Sequence, residues 1–322
     1  MGLFRKLTLG AAMAAAFVLP AWADYPERAI TLVVGSVPGS GPDFLARSMS
    51  EELSAELGQP IVVENQPGAA GNLAAAAISR SDPDGYRIYI GTINMTIATW
   101  LPAEAPFDPA SDFAYVGRVG AIPDVIAVNK SLGIDSIDVL IAKAKSARGD
   151  INFSSPGVGS LEQMGANALM AATGTDMFHV VYKGGKAAST GALSGEVEVG
   201  FLGMPPVISL IESGDMVALA VSGVERSPLI PDVPTYSESV VPGYVAEAWY
   251  GLFMPKDTPD DIVAKVNAAA NAALSNDVVA ERFAAKGAVV QTSTPAEFAT
   301  FVADESARWK AQLEELGLAG TR

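Results

Sequence analysis

The 322-residue chain carries 36 Asp and Glu against 21 Lys and Arg, a net charge of −15, which excludes the basic face that a nucleic-acid backbone requires. Hydrophobic residues make up 49% of it, enough for a large core and too many for a disordered chain, and the length suits two domains. It contains no cysteine, so disulfides and thiol chemistry are both excluded.

The first stretch reads as a targeting segment. Arg5 and Lys6 form a short basic start, Leu7 to Pro20 is apolar but too short for a comfortable membrane span, and Ala21-Trp22-Ala23 has the small-x-small form of a cleavage site. The expectation is an export signal over residues 1–23, cleaved after Ala23, with an uncleaved anchor as the rival reading. No later stretch is long and apolar enough to span a bilayer.

Ile30 to Val34 is a continuous apolar run of strand type, followed by the loop Ser36 to Gly41. Leu45, Met49, Leu53 and Leu57 then recur every four residues on one helical face, with Pro42 and Asp43 suited to the start and Gly58 to the stop. Pro60 to Glu64 reads as a strand, Asn65 to Gly71 as a second Gly-rich loop, Asn72 to Ser79 as a short Ala-rich helix, and Arg87 to Gly91 as a third strand. This β-loop-α order is the signature of an open parallel sheet with helices on its faces.

A second series follows. Val125 to Asn129 reads as a strand, Ser136 to Ala147 as a helix and Ile151 to Ser155 as a strand, and a third Gly/Ser loop, Ser154 to Ser160, enters a helix over Leu161 to Ala172. Further strands are expected over Phe178 to Tyr182, Val197 to Gly203, Met216 to Ser222 and Trp249 to Pro255, with a Pro-rich connector from Arg226 to Pro242. Helices close the chain near 259–275, 278–286 and 295–316. Two α/β series with a late return imply two lobes joined by two crossings: residues 24–124 with 240–322, and residues 125–239. Ligands in such sheets bind beyond the carboxyl ends of the strands, where the three loops lie.

The chemistry of those loops follows from helix starts. A helix N-terminus leaves backbone N–H groups unpaired and carries partial positive charge, and glycine lets a ligand approach the backbone closely. Ser36, Pro38, Gly39, Ser40, Gly41 and Asp43 in the first loop are therefore candidates. So are Gly68, Ala69, Ala70, Gly71 and Asn72 in the second, and Ser154, Ser155, Gly157, Gly159 and Ser160 in the third. Thr92 and Asn94 follow a strand end and are plausible polar contacts. Each loop alone also reads as a plain turn, Asp43 as a helix-start residue, and the serines as helix-start oxygens. His179 reads as packed core rather than catalyst, and Trp249 and Tyr250 as cover for the core or the crossing strands. Dinucleotide, P-loop, zinc-protease and nucleophile-elbow motifs are missing, and a single His leaves few general bases or metal ligands, so neither an enzyme nor a cofactor is expected.

YPERAITLVVGSVPGSGPDFLAR, LGQPIVVENQPGAAGNLAA, DPDGYRIYIGT, INFSSPGVGS, HVVYKGGKAA, RSPLIPDVPTYSE and WYGLFMP, in this order over nearly all of the chain, resemble the signature blocks of the tripartite tricarboxylate transporter substrate-binding proteins, the Bug family. The resemblance implies a type II periplasmic-binding-protein fold whose two α/β lobes close on a ligand by a hinge, and no catalysis. It implies a periplasmic monomer that holds a small organic acid, a di- or tricarboxylate or related carboxylate, by backbone amides of Ser36 to Gly41, Gly68 to Asn72 and Ser154 to Ser160. It also implies delivery to membrane permease subunits, or, as the alternative, service as a ligand sensor feeding a kinase. The chain departs from the pattern at Ser36, where the family carries Phe, at Ser40, where it carries Gly, and at Gly203 to Pro206. The two serines point to a hydroxylated or strongly anionic acid.

Overall fold

The computed structural model describes residues 25–101, 105–244 and 246–320; the expected export signal lies outside them. The apolar run of β1 (Ile30–Val34) is buried along nearly its whole length. Helix α1 (Gly41–Leu57) carries Pro42 in its first turn, buries Leu45, Met49, Leu53 and Leu57, and stops at Gly58 in the left-handed conformation, φ 71°. Next come β2 (Ile61–Asn65), α2 (Asn72–Ile78), β3 (Arg87–Thr92) and α3 (Asn94–Trp100). Strand β4 (Phe113–Asn129) leads to α4 (Ile137–Ser146), β5 (Asn152–Ser155), α5 (Leu161–Thr173), β6 (Phe178–Val181) and α6 (Gly185–Ser194). The chain continues through β7 (Val199–Gly203), α7 (Ile208–Glu212), β8 (Met216–Val221) and α8 (Tyr236–Ser239). It ends with β9 (Glu247–Pro255), α9 (Asp260–Leu274), α10 (Asp277–Ala284), β10 (Val289–Val290) and α11 (Pro295–Glu315).

The strands form one curled sheet in the order β2-β1-β3-β9-β4-β7-β5-β6, with β8 and β10 also paired to β4. Both flanks are parallel, β2-β1-β3 on one side and β7-β5-β6 on the other. The middle is antiparallel: β9 pairs with β3 and β4, and β4 with β7 and β8. The sequence pattern anticipated only parallel pairing, because βαβ units fix just the flanks and leave the return strand's direction open. Strand β4 is much longer than its readable part. Phe113 to Pro123 pairs with β9, and Asp124 to Asn129 pairs with β7 and β8, so one strand changes partners between Pro123 and Asp124, from the first half of the sheet (β2-β1-β3-β9) to the second (β7-β5-β6 with β8). The chain returns after β8, where the Ser222 hydroxyl accepts the Asp124 N–H and the Ser222 carbonyl accepts the Ala246 N–H.

An aromatic cluster around Phe298 ties α11 to β4 and β9 in the first half. Phe298 of α11 lies within 5.0 Å of Phe253, 5.8 Å of Tyr115 and 5.9 Å of Trp249, measured between ring centres. The capping box at Thr294 and Glu297 starts α11 and thereby fixes where Phe298 meets β9. Among the described residues no helix is long and apolar enough to cross a membrane.

Candidate functional site

Four strand-to-helix loops, two from each half, meet at a cavity of about 680 Å³. The first runs from Gly35 to Ser40 between β1 and α1. The second, Pro67 to Gly71, contains four successive residues with positive φ: Gly68 at 146°, Ala69 at 47°, Ala70 at 54° and Gly71 at 96°. Such a run turns consecutive backbone amides in a way that forms anion-holding concavities, and the two alanines hold it at a steric cost. The first two loops touch backbone to backbone: a Cβ on Gly35 would stand 2.6 Å from Gly71 Cα, so only glycine fits there. The third loop, Pro156 to Ser160, enters α5, and the fourth brings Tyr182 to Gly185 to the rim.

Ser36, Ser40, Gly41, Gly68, Ala69, Ala70, Gly71, Thr92, Asn94 and Gly157 line this cavity. The amides of Gly41, Ala69, Ala70 and Val158, all on the lining, have no hydrogen-bond partner among the described residues. Asn94 joins the two halves: its Nδ2 donates to the Ala70 carbonyl at 3.3 Å and its Oδ1 accepts the Leu161 N–H at 3.0 Å. Thr92 Oγ1 accepts the Asn94 N–H. The Ser40 hydroxyl donates to the Val37 carbonyl, so it presents only lone pairs elsewhere.

The other sequence candidates stand off the cavity wall. Pro38 and Gly39 are exposed beyond it. Asp43 is buried and its carboxylate is fully engaged, accepting from Gly39 N–H, Arg47 Nε and Asn65 Nδ2. Asn72 is buried as the first residue of α2. Ser154 donates to the Ala188 carbonyl, and Ser155 bonds the Gly157 backbone and His179 Nε2. Gly159 gives its N–H to Gln163 Oε1, and Ser160 caps α5 by accepting the Gln163 N–H. His179 stacks on Phe153 at 4.7 Å, and burial lowers its pKa.

Several lining residues fall outside the sequence candidates. Tyr250 is buried in the core, in keeping with its reading as cover for the core or the crossing strands, and it also lines the cavity from β9 beside Gly41. Tyr89 lines it too and donates its hydroxyl to the Gly71 carbonyl. Lys183 lies exposed at the mouth. Glu162 lies in the first turn of α5, where an acid ordinarily reads as a helix-dipole partner. It keeps surface on the cavity while lying deep among protein atoms.

Desolvation pushes the Glu162 carboxyl up to about 7, offset in part by its own backbone N–H and the Ser160 hydroxyl. Asp124, behind it on β4, is raised well above the carboxylate range by burial and then by the Glu162 charge. A carboxyl whose folded pKa exceeds its unfolded value binds its proton more tightly when folded. Its stabilising contribution is therefore complete below the unfolded pKa and is lost as pH rises through the folded one. The ligand-free protein should thus melt at progressively lower temperature between roughly pH 5 and pH 8. Glu162→Gln should remove much of that slope in differential scanning calorimetry. A flat wild-type profile over this window would contradict the burial of the pair.

The tripartite tricarboxylate transporter family receptor model matches residues 45–318. BugT of Bordetella pertussis is 35% identical over 306 residues, covering 94% of each chain. A protein from the TAR-I ttuE-ttuC' intergenic region of Agrobacterium vitis is 32% identical over 93% of this chain and 86% of its own. The periplasmic binding protein BugD superposes with a TM-score of 0.89 at 28% identity, over 92% of this chain and all of its own. An R. palustris protein solved with adipate gives 0.88 at 30% over 92% and 100%, and MatC from Rhodopseudomonas palustris, solved with bound malate, gives 0.85 at 30% over 90% and 100%.

Proposed function

Since the chain belongs to the tripartite tricarboxylate transporter receptor family, we propose that it is exported to the periplasm, captures a small organic carboxylate between its two halves, and hands it to the permease subunits of such a transporter. The observation that carries this reading is the set of unpartnered amides of Gly41, Ala69, Ala70 and Val158 on the lining of one cavity. Backbone N–H groups at helix starts and in positive-φ turns hold a carboxylate without a buried cation. Ser36, Gly68, Gly71, Thr92, Asn94 and Gly157 shape the walls around it. Residues 24–124 with 240–322 form one lobe and residues 125–239 the other, and they hinge where β4 and the Ser222–Ala246 segment cross. Asn94 and the contact of Gly157 with Ala70 latch the lobes together. The protein acts as a monomer, without a cofactor or a chemical step, and the export signal is removed after Ala23.

The relatives support the ligand class, since two of them hold adipate and malate. A thermal-shift screen of the mature protein against mono-, di- and tricarboxylates, sulfonates and aromatic acids tests the reading. A ligand at about 100 times its Kd should add about 2.7 kcal/mol and raise the melting temperature by several degrees. Silence across the panel in protein shown by native mass spectrometry to be empty would contradict carboxylate capture.

A further inference from the structure

Beside the amide-rich loops, the cavity wall and the layer behind it hold two acidic side chains, neither of them ion-paired with a described residue. Glu162 lines the cavity from the first turn of α5. Asp124 lies behind the wall on β4, only 4% exposed, and its Oδ1 has no hydrogen-bond partner among the described residues. That oxygen is 3.9 Å from where a Cβ on Gly203 would stand, and Gly203 is itself a lining residue. Ser160 of α5 hydrogen-bonds Glu162, and Tyr236 of α8, Tyr244 and Tyr250 are the groups whose hydroxyls feel the charge of the pair; none of these is positive. Lys183 faces the same cavity but from its exposed mouth. Arg308, which acts on the network from behind Tyr244, is ion-paired with Glu305.

We propose that the captured carboxylate also bears an ammonium group, and that Glu162, backed by Asp124, is the specificity-determining side chain that receives it. This rests on the carboxylate-capture reading above and narrows it to amino acids in the broad sense. Burial resists ionisation of Glu162, and an ammonium group supplies both the charge and the hydrogen bonds that make its ionised form favourable. Tyr250 adds an aromatic wall of the kind that suits a cation. A second ligand carboxylate beside Glu162 would oppose its ionisation, and a hydroxyl would bring no charge to favour it.

The raised Glu162 pKa gives the two ligand classes opposite proton linkage. An ammonium group favours ionised Glu162, so binding near neutral pH releases protons, and affinity climbs as pH rises from about 5.5 to about 8, by at most tenfold per unit for one proton. A carboxylate beside Glu162 favours the protonated form, so protons are taken up and affinity falls over the same range.

The test uses triplets that differ at one carbon only: succinate, malate and aspartate, and butyrate, 4-hydroxybutyrate and 4-aminobutyrate. Isothermal titration in buffers of different ionisation enthalpy gives both Kd and protons exchanged. The expected result is that the amino member of at least one triplet binds ten times or more tighter than its unsubstituted and hydroxylated partners, with net proton release. Glu162→Gln should weaken that ligand at least tenfold and abolish its pH dependence, while Glu162→Asp should keep both in part. Equal or tighter binding of an unsubstituted or hydroxylated acid, or proton uptake, overturns the proposal and leaves carboxylate capture standing. Failure of every acid in the triplets and in the wider panel overturns both.

Discussion

Phe298→Ala should lower the unfolding free energy by about 4 kcal/mol, within the range for removing a fully buried aromatic ring. Phe298 is completely buried between Tyr115, Trp249 and Phe253, which belong to the two long strands that run side by side through the middle of the sheet. Its ring also lies directly over Gly251 of β9, so the rigid strand beneath it cannot collapse inward to fill the space. Truncation therefore loses both the transfer free energy of the ring and the contacts of its neighbours, while Val302, Trp309 and Leu313 still hold α11. Guanidinium unfolding monitored by tryptophan fluorescence measures this directly, since Trp249 is part of the cluster. A loss below about 1 kcal/mol would mean that the first half takes its stability from elsewhere.

Gly157→Leu should separate binding from folding. Gly157 needs no unusual backbone angle, yet a Cβ there would stand 3.1 Å from Ala70 N and 3.2 Å from Ala70 Cβ, across the line between the halves. The leucine side chain has no room once the third loop seats against the second. In the open form under the proposed function it projects into solvent. The cost therefore falls on the closed, ligand-holding form alone, and overpacking of about 1 to 3 kcal/mol corresponds to a rise in Kd of roughly fivefold to more than a hundredfold. The ligand-free melting temperature should stay within about a degree of wild type, because no contact within either half is disturbed. Wild-type affinity in the variant would show that the second and third loops do not close on the same ligand.

Much of this was legible because local chemistry and tertiary need coincide. The four-residue spacing of Leu45, Met49, Leu53 and Leu57, with Pro42 before and Gly58 after, fixes α1 without reference to anything distant. The three loops announce themselves by Gly, Ser and Pro, and ten of the eighteen candidate residues do lie on one cavity. The illegible parts depend on partners far along the chain. Strand β4 is interrupted in sequence by Gly117 and Gly120, whose side-chain space is taken by Asn267 and by the Val289 carbonyl; such glycines read as turns until the neighbouring elements are in place. Helix α3 is two turns long, too short for its periodicity to declare itself. Within the loops the pattern could not say which face each residue presents. Ser154 and Ser155 spend their hydroxyls on the protein, and Asp43 is locked by Arg47 and Asn65. Glu162 was hidden for the opposite reason: an acid at a helix start has an ordinary explanation, and only the cavity in front of it and Asp124 behind it make it unusual.

The most direct test of the account follows the backbone amides themselves. With ¹⁵N-labelled mature protein and the tightest carboxylate from the thermal screen, the largest amide shifts are expected at Gly41, Ala69, Ala70 and Val158, four lining amides that no described acceptor engages. Shifts centred instead on the second cavity, beside Arg118, Glu247 and Arg308, with these four amides unmoved, would contradict an amide-built carboxylate site between the two halves.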